Sequence, residues 1–413
     1  MSARDRVRLG ALRVAGRLMA RQGGVASTTA LDGRRHSTCR APAPRILLVR
    51  PDHLGDLILA GPSGRLLHAA LPNSAVDWLV GPWGADVVRR SGAEHEILTC
   101  PFPGFTRRPK ASPWSPYSLL AVEARSLRAR RYDAALILRP DHWWGALLVA
   151  AAGIPVRIGF GVSEAEPFLT HALPAPEATH AVEANVALAR LAAELLGSSA
   201  LEIASPSPGV VVTADERAWA TATVGRGTGP LIALHPGSGA AVKNWLPHRW
   251  SGVLAKLMDA TGARVVLTGS RAEVPLVERI ASTLEPRPLA LIGHTSLGQL
   301  AALFEHCDLV LGGDSGPLHL AAAMGTPTVR LYGPTPPAVF GPWGDPARQR
   351  PIQAALPCEP CGSFTPPCGA TATPACLRAI DVDTVVDAAL KALATGARLQ
   401  SRTGASVGPA ARC

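Results

Sequence analysis

The 413-residue sequence predicts an α/β protein built from two doubly wound parallel sheets in tandem. Three observations lead there. Short aliphatic runs alternate with helix-patterned segments, the alternation pauses in a Pro/Gly-rich stretch and then restarts, and the chain is longer than one hydrophobic core usually supports.

In chain order, RILLVR (45–50) reads as a buried strand, short, aliphatic and set beside proline. A Gly-containing turn, PDHLGD, leads into the helical pattern LILAGPSGRLLHAAL. AVDWLV (75–80), EILT (96–99) and AALILR (134–139) are the next strands, separated by helix-like segments. Residues 201–230 mix Pro, Gly and small residues and read as an interdomain connection. The pattern restarts with LIALH (231–235), ARVVLT (263–268), LALIG (289–293), DLVLGG (308–313) and TVRLYG (328–333), and a helical apolar stripe over 382–394 closes the fold. The borders expected are a basic, disordered extension over 1–44, a first domain over 45–205, a linker over 206–229, a second domain over 230–396 and a flexible tail over 397–413. Open α/β sheets bind ligands outside the carboxyl ends of their strands, so two such sheets predict a cleft there.

Composition removes several classes. An apolar content of 47% excludes wholesale disorder, and the apolar run 143–156 is too short to span a bilayer. The formal charge is +10, but residues 1–45 hold ten Arg against two Asp. The remaining chain is nearly neutral, which argues against a nucleic-acid partner. The extension has no signal-peptide core, since Arg13, Arg17 and Arg21 interrupt it. It is either a disordered tail or a basic segment touching anionic lipid. No GxGxxG follows a first strand and no Walker A loop occurs, so nicotinamide, flavin and P-loop chemistry lose their usual signals.

Four segments just beyond expected strands carry candidate chemistry. In HLGD (53–56), Asp56 is either a helix N-cap or a carboxylate able to take a proton from an acceptor hydroxyl. In HPGSGAAVKNWLP (235–247), Gly237 and Gly239 allow a tight turn around Ser238, and Lys243 offers a point charge suited to phosphate. Only four of the 41 basic residues are Lys, which makes a loop lysine notable. In GHTSLGQL (293–300), Thr295 or Ser296 caps the next helix or borders a nucleotide. In DSGPLHLAAAMG (314–325), Asp314 or Ser315 caps a helix with Pro317 in its first turn, or that helix start cradles an anion together with Gly316. His319 is a packed core residue or part of the same cradle.

Together with YDAALIL, the RIGF turn at 157–160, HAVE at 180–183 and the Cys-rich CEPCGSFTPPC, these strings make the chain resemble glycosyltransferase family 9, the ADP-heptose:lipopolysaccharide heptosyltransferases and their relatives, from about residue 45 to 395. The resemblance implies a GT-B fold of two Rossmann-like domains and an inverting glycosyl transfer with Asp56 as general base. Lys243 would contact the donor's phosphates, Gly237, Ser238, Thr295 and Ser296 would line the donor site, and Asp314, Ser315, Gly316 and His319 would wrap the nucleotide and pyrophosphate. The expected donor is a nucleotide sugar such as ADP-heptose, the acceptor a glycan or lipid-linked molecule, and no cofactor or bound metal is required. The alternatives are another nucleotide-sugar donor, an epimerase on the same scaffold or a non-catalytic nucleotide-sugar-binding protein. His53, Asp141 and Trp143 are expected on the acceptor side. In RPDHWWGALL (139–148), Trp143 and Trp144 either stack on a sugar or pack the domain. The expected location is the cytoplasm, at the inner face of its membrane where the extension meets lipid. Cys358, Cys361, Cys368 and Cys376, spaced C-x2-C-x6-C-x7-C, are compatible with zinc, with disulfides or with reduced thiols.

Overall fold

The computed structural model describes residues 43–404 apart from 93, 107–111, 113, 163, 199–206 and 364–372, with backbone alone over 396–404. The expectations for the extension, for Cys368 and for the border at 205 and 206 therefore lie wholly or largely outside the described residues. The chain divides into two compact units, Met1–Pro206 and Ser207–Cys413.

The first unit runs β1 (Arg45–Arg50), α1 (Leu54–Ala70), β2 (Ala75–Val80), α2 (Ala85–Arg89), β3 (Glu96–Thr99), α3 (Ser115–Arg130), β4 (Ala134–Ile137), α4 (Trp143–Ala151), β5 (Val156–Phe160), β6 (His171–Leu173) and α5 (Ala181–Leu195). Its six strands form one sheet in the order β3-β2-β1-β4-β5-β6, paired in parallel throughout. β1 lies between β2 and β4, so Ile46 to Val49 are fully buried. That is why the strand reads as a continuous aliphatic run rather than an alternating one. The RIGF segment, read as a turn, is strand β5. Its charge misleads: Arg157 is only half-buried and donates from Nε to Phe168 O at 2.7 Å.

The second unit runs α6 (Ala214–Val224), β7 (Leu231–His235), α7 (Pro247–Thr261), β8 (Arg264–Gly269), α8 (Val274–Ala281), β9 (Leu289–Ile292), α9 (Leu297–His306), β10 (Leu309–Gly313), α10 (Gly316–Ala323), β11 (Thr328–Leu331), α11 (Pro337–Phe340), β12 (Gln349–Ile352), α12 (Ala375–Ala379) and α13 (Val382–Gly404). The sheet order β12-β11-β10-β7-β8-β9 repeats that of the first unit, again all parallel. Two segments are more regular than their sequence suggests. Within the expected linker, α6 starts on a reciprocal capping box between Thr213 and Glu216 and packs on α9 through buried Ala220. At the other end α13 passes the expected border at 396, because Gly396 weakens a helix without stopping it when Ala397 to Gln400 resume helix-forming residues.

In each sheet one central strand turns outward to both sides: β1 toward β2 and β4, β7 toward β8 and β10. The connections leave in opposite directions there, which opens a crevice at the carboxyl ends of those strands.

Candidate functional site

At the first unit's switch point the chain leaving β1 meets the chain leaving β4. Arg50, only 5% exposed, closes β1. Its Nε lies 2.7 Å from Asp52 Oδ2, its Nη1 donates to Leu138 O at 2.5 Å, and its Nη2 donates to Asp56 Oδ1 at 3.2 Å. Asp52 is buried and also pairs with Arg139, whose Nε donates to Asp141 Oδ1 at 2.6 Å. Burial alone would raise the Asp52 carboxyl's pKa, but Arg50 and Arg139 outweigh it and hold the group ionised, below its ordinary value.

Asp56 stands in the first turn of α1 and is not its cap; His53 occupies that position, without a side-chain bond to the helix. The capping alternative for Asp56 is thereby removed. Its carboxylate is about one-third exposed, with one oxygen facing Arg50. The His53 ring sits 5.2 Å from that of Trp83, Asp141 is exposed beside Arg139, and Trp143 packs half-buried against the core. Trp144 is a core residue, donating from Nε1 to Pro116 O at 3.1 Å. Between them His142 is folded inward against Phe102, Phe105 and Trp144, with neither ring nitrogen hydrogen-bonded. Burial pushes its pKa down to about 4. Gly145 is needed for this, since a Cβ there would lie 2.4 Å from His142 Nδ1.

At the second unit's switch point, Lys243 Nζ lies 2.6 Å from Asp314 Oδ2. Gly312 lets β10 pack against the end of β7 and the start of α10: a Cβ would meet His235 O and Leu318 Cδ2, each at 2.5 Å. A Cβ on Gly237 would fall 1.6 Å from Glu273 Oε1, so a side chain there would displace that carboxylate. Ser238 Oγ is 2.7 Å from both Ala240 O and Asn244 Oδ1 and ties the loop to itself. His235 is buried, with Nδ1 3.0 Å from Thr268 Oγ1.

The start of α10 resolves the alternative left open by the sequence. Pro317 lies in its first turn as expected, yet no side chain caps the helix. The Asp314 carboxylate is directed to Lys243, while the Ser315 hydroxyl is buried with no hydrogen-bond partner. Beneath the helix Arg330, fully buried, donates to Leu318 O and lies with Nη1 3.2 Å from His319 Nδ1. Since Arg can only donate, His319 accepts at Nδ1 and carries its proton on Nε2, which faces Asp314 Oδ1 at 3.8 Å. Burial works against ionising Asp314, but His319 and Lys243 prevail and keep its pKa well below the carboxylate range. A helix start with this positive surround can hold an anion.

The family model of glycosyltransferase family 9 (heptosyltransferase) matches residues 122–368, more than half of the chain. The chain belongs to glycosyltransferase family 9. This family 9 protein is 28% identical over 317 residues to lipopolysaccharide heptosyltransferase 2 of Escherichia coli K12, a match covering 74% of this chain and 87% of that one. It is 29% identical over 315 residues to lipooligosaccharide heptosyltransferase 2 of Haemophilus ducreyi, covering 72% and 86%. Its fold is similar to that of E. coli ADP-heptose lps heptosyltransferase II, with a TM-score of 0.67 at 23% identity over 85% of this chain and 99% of that one. It is similar again to the family 9 glycosyl transferase of Veillonella parvula, with a TM-score of 0.69 at 22% identity over 87% and 100%. The GT-B fold class expected from the sequence is borne out, and the protein is a glycosyltransferase.

Among the residues expected on the glycosyltransferase's donor side, Lys243, Asp314, Ser315, Gly316 and His319 come together at one switch point. Gly237 and Ser238 lie in the loop that leads to Lys243. Thr295 and Ser296 do not join them: they follow β9, an edge strand two places from β7. Ser296 Oγ accepts from Gln299 N at 3.1 Å, and Gln299 Oε1 accepts in return from Ser296 N, so this serine caps α9. Sequence reasoning passed over Arg50, Asp52, Arg139, His142 and Arg330. An arginine in or closing an otherwise aliphatic strand, as in RILLVR and TVRLYG, was the available signal, because a charge placed there is buried and must be paired.

Of the cysteine cluster, Cys358 and Cys361 are exposed free thiols and Cys376 is buried, its pKa pushed up to about 11 by burial. Among the described residues no group of three or more His, Cys, Asp or Glu side chains is arranged to hold a metal ion, and no helix is long and apolar enough to cross a membrane.

Proposed function

We propose that this glycosyltransferase moves a heptose from ADP-heptose to a lipopolysaccharide-core or other lipid-linked glycan acceptor, inverting the anomeric configuration. The observation that carries the reading is the uncapped start of α10 beside Lys243, with the Ser315 hydroxyl buried and unpartnered. A leaving diphosphate needs such a surround: helix N–H groups, one mobile cation and a hydroxyl donor fixed before the charge develops. The solved relative named for ADP-heptose supports the choice of donor.

The acceptor's hydroxyl oxygen attacks the anomeric carbon while Asp56 takes the proton it releases. The new C–O bond forms as the bond to the β-phosphate oxygen breaks, and its electron pair leaves with ADP. One displacement from the opposite face inverts the centre. Arg50 holds one Asp56 oxygen and so orients the carboxylate. His53, Asp141 and Trp143 meet the acceptor. The enzyme acts on the cytoplasmic face of the membrane, with residues 1–44 drawn to anionic lipid.

Calorimetry with ADP, UDP, GDP and ADP-heptose tests the donor, followed by NMR of the product's anomeric centre. Preferential binding of ADP-heptose and an inverted product are expected. Tighter binding of another nucleotide replaces the donor, turnover without an acceptor points to an epimerase, and no nucleotide binding removes the reading.

A further inference from the structure

The helix α3 carries a second surface, unrelated to the two switch points. Its inner face is apolar: Ala124 and Leu127 are buried, and Leu119 and Leu120 pack against the first unit's core. The outward stripe is unusual. Trp114, the residue before the helix, is 76% exposed, Tyr117 is 53% exposed and Val122 is 63% exposed. The rings of Trp114 and Tyr117 lie 6.2 Å apart. Exposed Ala121, Arg125 and Arg128 continue the same line at helical spacing. The helix has one acid, Glu123, which is half-buried on the flank toward the core.

Large aromatic side chains in water cost free energy that a soluble partnerless surface has no reason to bear. The pattern identifies what they meet. Trp and Tyr combine an apolar ring with a polar edge, the chemistry of the boundary between lipid headgroups and acyl chains. Arginines about two and three turns beyond Tyr117 on the same stripe match anionic headgroups, and no acid on the stripe opposes them. From Trp114 to Arg128 the stripe extends about 20 Å at the usual helical rise, longer than a sugar platform requires.

We infer that the outward face of α3 is a peripheral membrane-binding surface, seated on anionic phospholipid with Trp114 and Tyr117 at the acyl boundary and Arg125 and Arg128 among the headgroups. The assignment stands on α3 alone and does not depend on the donor, the acceptor or Asp56.

The test is flotation of the full-length protein with phosphatidylcholine vesicles, with and without phosphatidylglycerol. Trp114→Ala with Tyr117→Ala should lower partitioning onto the anionic vesicles about tenfold. Arg125→Gln and Arg128→Gln should each lower it about fivefold, and less at high salt. Trp114, Tyr117 and Arg125 are exposed, so the thermal unfolding midpoint of their variants should hardly move, which separates lost binding from lost folding; Arg128 also donates to Ala151 O at 2.6 Å, so its variant is compared at equal folded fraction. In vesicles carrying brominated acyl chains, quenching of tryptophan fluorescence should fall in Trp114→Phe. Unchanged partitioning in the fourfold variant would overturn the assignment. So would a raised KM for a detergent-solubilised acceptor with unchanged partitioning, which would make the stripe a glycan platform.

Discussion

The two sheets share one strand order, and their switch points do opposite things with charge. In the first unit, Arg50, Asp52, Arg139 and Asp141 neutralise one another, so the crevice is nearly complete without a ligand. Asp56 keeps about a third of its carboxylate in solvent. In the second unit, one Lys–Asp pair stands beside a helix start that no side chain caps and a hydroxyl that nothing receives. The scaffold supplies the same location twice. The few residues following each strand decide whether it presents a partly exposed carboxylate or an uncapped helix start beside a lysine.

The largest expected effect would break this comparison if it failed. Asp56→Asn should cut turnover by about two to four orders of magnitude, the usual worth of a general base, with donor affinity nearly unchanged. Lys243→Met should do the reverse, weakening ADP binding by about tenfold to a hundredfold through a lost charge-assisted bond. Steady-state kinetics and calorimetry on both variants read the split. If Asp56→Asn instead weakened donor binding and Lys243→Met left it intact, the division of roles would be reversed.

How much of this was legible in the sequence follows from what each feature depends on. Strands β1 and β7 could be placed to the residue because a buried parallel strand needs a short, largely aliphatic run whatever its neighbours are, and β2 and β3 followed from the same pattern although Asp77 interrupts one and the other lies half-exposed at the sheet edge. Lys243 and the DSG start of α10 could be found because glycine, proline and a rare lysine mark them locally. The Arg50–Asp52–Arg139 cluster could not, since it depends on β4 pairing beside β1 across 88 residues, and the strand order is a tertiary fact. His142 was hidden for a related reason: nothing local says that Phe102 and Phe105, about 40 residues earlier, enclose its ring. Ser296 and Ser315 looked equivalent in sequence, and only their hydrogen bonds separate them.

Breaking the neutralised network should affect stability more than binding. Arg50→Met leaves Asp52, 3% exposed, with Arg139 as its remaining cation, and should destabilise the first unit by about 3 kcal/mol or more. Urea unfolding reads this directly. A loss below about 1 kcal/mol would mean that Arg139 suffices and that Arg50 serves chiefly to orient Asp56.

Each switch point also buries a histidine, which predicts an acid sensitivity of definite sign. His142 titrates near pH 6.5 when unfolded and near 4 when folded, so the unfolded state takes up the proton first. Stability is full above about pH 6.5 and falls as the pH drops toward 4, by on the order of 3 kcal/mol. His235 is shifted down by burial as well, with Glu273 Oε2 3.9 Å from its Nε2 opposing the shift. His142→Phe removes no hydrogen bond and places a ring among rings, so it should flatten the loss of amide-exchange protection in α4 while leaving the response around β7 in place. An unaltered profile in α4 would place the acid sensitivity elsewhere.

The smallest effect is the sharpest test of the second switch point, because it sets two N-cap serines of one unit against each other. Ser296 accepts from Gln299 N, so Ser296→Ala should cost about 1 kcal/mol of stability. Its place after the edge strand β9 predicts little change in nucleotide affinity. The Ser315 hydroxyl makes no bond in the folded protein, so Ser315→Ala removes nothing from the free enzyme and should leave stability within about 0.5 kcal/mol. If that hydroxyl awaits a phosphate oxygen, the same substitution should weaken ADP binding by about twofold to tenfold. Thermal unfolding and ADP titration on the two variants give four numbers, and the pattern of the four matters more than any one. Should Ser315→Ala destabilise the protein without touching ADP affinity, the buried hydroxyl belongs to the packing of α10, and the anion would have to be held by Lys243 and the helix backbone alone.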